Sequence, residues 1–344
     1  MTTMIKIKHF ISVLLIAVFL FSFVGCSKQP TIEPQEPQTI KLIDDPGTLR
    51  FKEDGTFKIM IFTDLHSERD TNPGAMRALF DAEKPDFVLL GGDLTSWEGY
   101  EDMCASIEAF VTPMVEYGIP WAFVYGNHDR EGFSAKLESM IYHKFDLCIE
   151  DDVEYLSGEE TYWLPVLASD SNDTEFVIWC MDSHDYTDYN YETGEEGYDC
   201  VHADQVQWYK EESIMLERAY GKKINGLMYF HIPMQEVEII YNNPEKYGLV
   251  GEARQDKVYS SPYNYGLFDA MKEREDVKIC LSGHDHLNNF VGVLDGITLG
   301  YCGTIAHCLN DDDIRGTRVI VINENDTANP ETYIVYLDDI GYDG

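Results

Sequence analysis

Five short apolar runs in this chain each end in residues able to hold a metal ion or move a proton. Residues 58–63 lead into Asp64 and His66, and 86–90 lead into Gly91-Gly92-Asp93. Residues 121–125 lead into Gly126-Asn127-His128-Asp129, 227–230 into His231, and 277–281 into Gly283-His284-Asp285-His286. Carboxylate, imidazole and amide oxygen together suit divalent first-row metals. One ion needs three or four protein ligands. Asp64, His66, Asp93, Asn127, His231, His284 and His286 are enough for two, provided one carboxylate bridges. Each residue alone has a plainer reading: Asp64 or Asp93 as a turn residue, His128 as a loop cap, His231 as a satisfied core histidine. Together those readings require one coincidence repeated at five strand ends. A spacing of two puts Asp64 and His66 on one face of an extended chain, and His284 and His286 repeat it. The Gly pair before Asp93 permits a tight turn.

Runs this short, bounded by Gly and polar residues, read as buried strands. A sixth, 176–181, leads into Asp182-Ser183-His184. Helical patterns lie between. Asn72-Pro73 reads as N-cap and first helical residue before 75–83. Met103, Ile107, Phe110, Val111, Met114 and Val115 form one stripe closed by Gly118. Residues 203–220 read as a further helix stopped by Gly221. Met and aromatic residues on these stripes are core. Strand–helix alternation predicts an α/β sheet whose functional groups gather at the carboxyl ends of its strands. Beyond His286, residues 290–294 and 297–302 flank the hairpin signal Asp295-Gly296. Residues 317–323 and 332–337 follow as strands, and this part is expected to be antiparallel and beside the first sheet.

The 344 residues carry 62 acidic and 25 basic side chains, a formal charge of −37. That acidity argues against a nucleic-acid partner, which needs Lys and Arg clusters, and against a basic patch on an anionic membrane. An apolar fraction of 44% supplies a sizeable core. Lys6 and Lys8 precede a short apolar stretch that ends Phe23-Val24-Gly25-Cys26-Ser27, which reads as a signal peptide over 1–25. Its end resembles a bacterial lipobox, implying lipidation at Cys26 and a cell-surface or periplasmic lipoprotein held to a membrane by that anchor alone. Residues 26–50, with Pro30, Pro34 and Pro37, read as a polar tether, leaving 51–344 as the folded domain. Seven cysteines remain beyond Cys26, an odd number without a CxxC motif. Cys180 and Cys280 lie in apolar runs and read as buried thiols, and Cys302 and Cys308 are close enough in sequence to pair.

The ordered set D-x-H, G-D, G-N-H-D, a lone His and G-H-x-H resembles the calcineurin-like metallophosphoesterase superfamily. Phe230-His231-Ile232-Pro233 and the stretch 283–290, with Asp182-Ser183, Gln205 and Trp208, resemble its purple-acid-phosphatase-like branch. The resemblance implies an α/β, four-layer α-β-β-α sandwich with two mixed sheets. By motif, it places Asp64, His66 and His286 on one metal and Asn127, His231 and His284 on the other, with Asp93 bridging. It leaves His128 facing substrate beside Asn127, with Asp129 orienting the His128 ring. True purple enzymes carry a metal-binding Tyr three residues after the bridging Asp. Here that residue is Ser96, so two ordinary divalent ions (Mn, Fe, Zn or Ni) are expected rather than a tyrosinate-bound purple centre. The implied reaction is hydrolysis of a small phosphate ester by a water that the two ions share and deprotonate, with His128 steadying charge or protonating the leaving oxygen.

A monoester is the leading substrate. A phosphodiesterase would use the same metals, and a non-catalytic surface binding protein would use the same fold. His184, beside Asp182 and Asp185, is a candidate substrate contact, while His202 and His307 read as structural or solvent-facing. The acidic, Tyr-rich stretch 182–199 reads as a solvated loop, or as a lip over the cleft that excludes polyanions or stacks a leaving group. Asp311-Asp312-Asp313 reads as a solvated loop or a weak calcium site.

Overall fold

The computed structural model describes residues 42–342 except 44, 97–98, 151, 154, 188–196 and 308–311. The signal peptide, Cys26 and the Pro-rich part of the tether lie outside these residues. Among the described residues no helix is long and apolar enough to cross a membrane. Packing begins a little before residue 51: Leu49 is buried, and Arg50 donates to the carbonyls of Ala168 and Ser171.

The elements run β1 (Thr56–Phe62), α1 (Asn72–Glu83), β2 (Phe87–Leu90), α2 (Tyr100–Tyr117), β3 (Trp121–Phe123), α3 (Asp129–Gly132), α4 (Ala135–Tyr142), β4 (Tyr162–Leu167) and β5 (Thr174–Cys180). Then follow α5 (Ala203–Tyr220), β6 (Asn225–Tyr229), α6 (Glu236–Tyr241), α7 (Pro244–Tyr247), α8 (Leu267–Arg274), β7 (Val277–Ser282), β8 (Val291–Leu294), β9 (Ile297–Tyr301), β10 (Gly316–Asn323) and β11 (Asp326–Tyr336). One sheet has the order β11-β10-β1-β2-β3 and the other β4-β5-β6-β7-β9-β8. Both mix parallel and antiparallel pairs.

Period-two alternation explains the layering. In β1, Ile59 and Ile61 face the second sheet, where Ile178, Leu227, Ile279 and Leu281 meet them. Met60 and Phe62 face the other way, toward Met76 and Leu79 of α1 and Phe110 and Met114 of α2. In β5, Phe176 and Ile178 point between the sheets, while Val177 and Trp179 pack outward against Trp208 and Tyr209 of α5. Strands covered on both faces read as continuous apolar runs, which is why they stood out in the sequence. The result is a four-layer α-β-β-α sandwich.

Gly118 and Gly221 close α2 and α5 in the left-handed conformation, as their sequence positions predict. Asp295 and Gly296 form the hairpin turn with φ of 49° and 86°. Several readings are corrected. The N-cap of α1 is Thr71, because the Asn72 amide donates to the Leu65 carbonyl. Val115 falls at the solvent edge of its stripe. The late strands divide between the sheets: β10 joins β1 antiparallel in the first, while β9 runs parallel to β7 in the second. Strand β4 escaped the sequence because Pro165 interrupts it, and an edge strand tolerates the lost donor. Cys180, Cys280 and Cys302 are buried free thiols, and Cys308 lies outside the described residues.

Candidate metal centre

The chemical residues sit just past the strand ends, in turns. Strand β1 stops at Phe62, and Asp64, His66, Asp93 and His284 have φ of 57°, 44°, 52° and 75°. They therefore converge through left-handed turns, not through the same-face alternation of a strand. Such backbone costs a non-Gly residue about 1–2 kcal/mol. Hydrogen bonds between loops offset it: the Asp64 N–H donates to Gly92 O, His66 N–H to Asp93 O and Ser67 N–H to Leu94 O. Glycines allow the close approach. A Cβ on Gly126 would lie 2.2 Å from Asp93 Oδ1, and one on Gly283 would lie 2.3 Å from Thr63 Oγ1.

Two groups of metal-ligating type result, Asp64–His66–His286 and Asp93–His231–His284, the candidate atoms of each lying within 4.8 Å of one another. His66 Nε2 and His286 Nε2 are 2.9 Å apart, and His286 Nε2 is 3.3 Å from Asp64 Oδ1. His231 donates Nδ1–H to the Gly91 carbonyl at 2.8 Å, which turns Nε2 toward Asp93 Oδ2 at 3.0 Å and Asp64 Oδ1 at 3.7 Å. Asn127 is wholly buried, and the N–H of the next residue, His128, donates to Asp93 Oδ1 at 2.8 Å. Asn127 Oδ1 is buried with no hydrogen-bond partner, and Asp93 Oδ2 and His231 Nε2 face each other as a buried ion pair. A buried amide oxygen without a partner is costly, and a divalent cation would satisfy it and take the place of the His231 proton beside Asp93.

The electrostatics agree. Burial opposes charge on Asp64, yet His231 and His286 hold its carboxyl down at about 2, and His231, with His66 and His128, holds Asp93 lower still against its own burial. Burial also opposes charge on His231, but Asp93 and Asp64 raise it to about 9. Burial and the neighbouring His231 push His284 down to about 3, so it stays neutral, as a ligand must.

Asp129 does different work from that expected. Its carboxylate is buried and accepts the N–H groups of Asp93, Leu94, Thr95 and Gly126 at 2.7–2.9 Å. It thus fastens the loop after β2 to the loop after β3. The His128 ring has another partner, its Nδ1 lying 2.8 Å from Glu131 Oε2. The His128 ring stands 5.2 Å from that of His66, which places it at the edge of the metal-type groups.

The sequence profile of calcineurin-like phosphoesterases matches residues 57–288, which contain all of these loops. The chain belongs to the calcineurin-like phosphoesterase family. This chain is 31% identical over 315 residues to "Probable inactive purple acid phosphatase 29" of Arabidopsis thaliana, covering 80% of this chain and 79% of the plant protein. It is 26% identical over 283 residues to "Phosphatase DCR2" of Saccharomyces cerevisiae, covering 72% of this chain and 47% of that one. A solved dimetal phosphatase from Danio rerio shares the fold, with a TM-score of 0.51 at 12% identity over 81% of this chain and 98% of the fish protein.

Some expected parts of the site lie elsewhere. His184 is not with the two groups. Its ring stacks on His202 at 3.9 Å and its Nε2 is 3.3 Å from Gln205 Oε1. It forms a separate trio with Asp199 and His202. In-plane lone pairs on stacked rings cannot converge on one ion, and His202 is already used at the start of α5. Gln205 is structural too, donating to Thr161 Oγ1 and the Asp182 carbonyl. The Asp313 carboxylate is taken up by a two-pronged bond from Arg254 at 2.9 Å, and Asp311 is outside the described residues. The Tyr-rich stretch is not simply solvated: Tyr186 bonds Asn127 and Glu131, and Tyr198 packs edge-on against His284 at 4.2 Å. Glu131 was missed, although its position three residues after His128 in a helical turn was a usable signal. For Tyr186 no local signal existed.

Proposed function

We propose that this chain is an exported, lipid-anchored phosphatase that hydrolyses small phosphate monoesters with two divalent ions. In this reading Asp64, His66 and His286 hold one ion, Asn127, His231 and His284 the other, and Asp93 is shared. The observation that carries it is the convergence of two ligand-type groups, Asp64–His66–His286 and Asp93–His231–His284, together with the buried, unpartnered Oδ1 of Asn127. When bound, such a pair supplies Lewis acidity and lowers the pKa of water at the phosphorus. The chain's own residues do the rest. His231 is buried and His284 partly so. Because Glu131 is an acceptor, His128 donates Nδ1–H to it, leaving Nε2 as the atom that steadies a phosphoryl oxygen or passes a proton to the leaving oxygen. The acidic surface disfavours polyanionic substrates.

The names of the plant relatives favour a second reading, a metal-holding surface protein without turnover. The complete set of seven ligand-type residues weighs against it. A diesterase would use the same residues. The deciding experiment assays the purified protein on 4-nitrophenyl phosphate and bis(4-nitrophenyl) phosphate, with and without chelator and with added Mn, Zn or Fe. Chelator-sensitive turnover that favours the monoester supports the proposal. Two ions bound without turnover supports the second reading, and a folded protein that binds no ion refutes both.

A further inference from the structure

We infer that Tyr186 and Glu131 are positioning residues, which together fix the amide of Asn127 and the ring of His128 by hydrogen bonds that converge on the Glu131 carboxylate. The inference deepens the phosphoesterase reading and rests on it for the roles of Asn127 and His128. Asn127 Nδ2 lies 2.9 Å from the Tyr186 hydroxyl, that hydroxyl lies 2.7 Å from Glu131 Oε1, and Glu131 Oε2 lies 2.8 Å from His128 Nδ1.

Direction follows from what each group can give. An ionised carboxylate only accepts, so Glu131 takes the one hydrogen of the Tyr186 hydroxyl and the Nδ1 hydrogen of His128. The Tyr186 oxygen is then left as an acceptor. Asn127 must present its N–H to it, which sends Oδ1 the other way, where it is buried without a partner. An amide flip would place a nitrogen donor at the cation position and an oxygen against the Tyr186 lone pairs. The same carboxylate therefore selects the amide orientation that can ligate and the imidazole tautomer that leaves Nε2 for substrate.

The scaffold holds this chain from both sides. Arg130, between Asp129 and Glu131, is paired with the buried carboxylate of Asp182. Beyond Asp182 the segment is closed on itself: Thr187 N–H donates to Gly197 O at 2.7 Å and Asp199 N–H to Asp185 O at 3.1 Å, with Tyr186 and Tyr198 bridged between. Tyr186 and Tyr198 thereby flank the centre, one on Asn127 and the other on His284.

The test uses Tyr186→Phe and Glu131→Gln in the full-length protein. Tyr186→Phe is expected to weaken Zn or Mn binding 10–100-fold in competition with a chromophoric chelator. Glu131→Gln is expected to lower kcat at least tenfold more for an alkyl phosphate than for 4-nitrophenyl phosphate, whose leaving group needs no proton, with KM little changed. Side-chain 15N shifts of His128, read in metal-free protein, should show the hydrogen on Nδ1 in wild type and a mixed or reversed tautomer in Glu131→Gln. A merely structural role would depress both substrates equally and leave the tautomer alone. Unchanged metal affinity in Tyr186→Phe, with an unchanged His128 tautomer in Glu131→Gln, overturns the inference. If wild type binds ions but hydrolyses neither ester, the phosphatase reading fails, and the affinity and tautomer measurements still decide the hydrogen-bond chain.

Discussion

Asp93 Oδ2 lies 3.0 Å from His231 Nε2, with both side chains sealed from solvent. In the metal-free protein this is a buried ion pair, because Asp93 and Asp64 overcome burial and keep His231 protonated up to about pH 9. A cation at Nε2 must displace that proton. Metal binding is therefore expected to release about one proton at pH 7, and apparent affinity should rise up to about tenfold per pH unit until near pH 9, then flatten. Titration calorimetry in two buffers of different ionisation enthalpy measures both. An affinity constant between pH 6 and 8 would contradict the assignment of His231.

Asp129→Asn should damage the site without touching it. The carboxylate takes four backbone N–H groups from two loops, and an amide would turn a donor toward some of them. A loss of about 3 kcal/mol is expected in denaturant unfolding. Metal affinity should fall with it, since Asp93 and Asn127 sit on those loops. A variant as stable as wild type would show that the loops hold themselves.

Asp182 is fully buried, and its carboxyl is held below the usual range: burial opposes the charge, and Arg130 more than offsets it. A carboxyl whose folded pKa is depressed contributes stability above its unfolded value near 4, and this is lost as pH falls through the folded value. Arg130→Ala leaves that carboxylate buried without its partner, at a cost of about 3–5 kcal/mol at pH 7. The deficit relative to wild type should shrink in strong acid. Urea melts at pH 7 and pH 3 read the difference, and equal deficits would count against the pair.

Glu160 behaves oppositely. Burial and its bond to Glu150 raise its carboxyl well above the ordinary value. The folded state then keeps a proton that the unfolded chain has released, so stability declines as pH rises above about 4.5, by at most about 1.4 kcal/mol per unit. Glu160→Gln should melt higher than wild type at pH 8.5 and about level with it at pH 4.5. A variant less stable at both would mean that the acid itself is needed there.

His128→Ala should lower kcat about 100-fold on an alkyl phosphate while bound metal, measured by elemental analysis, is unchanged. Loss of metal would instead make His128 a ligand.

The ligand types, their order and the alternation of buried strands with helices were legible from residue chemistry and spacing. Buried strands announce themselves as apolar runs, and Gly118, Gly221 and Asp295-Gly296 mark turns whose left-handed backbone is a local requirement. Strand β4 was hidden because Pro165 argues against a strand until its place at a sheet edge is known. The partners of Asp129, His128 and Asn127 were equally out of reach. Asp129 bonds amides more than 30 residues earlier, and Tyr186 meets Asn127 across 59 residues. Residue types limit which bonds a side chain can make. Only the packed loops decide which partner is within 3 Å, and with it which atom of Asn127 faces the metal-type groups.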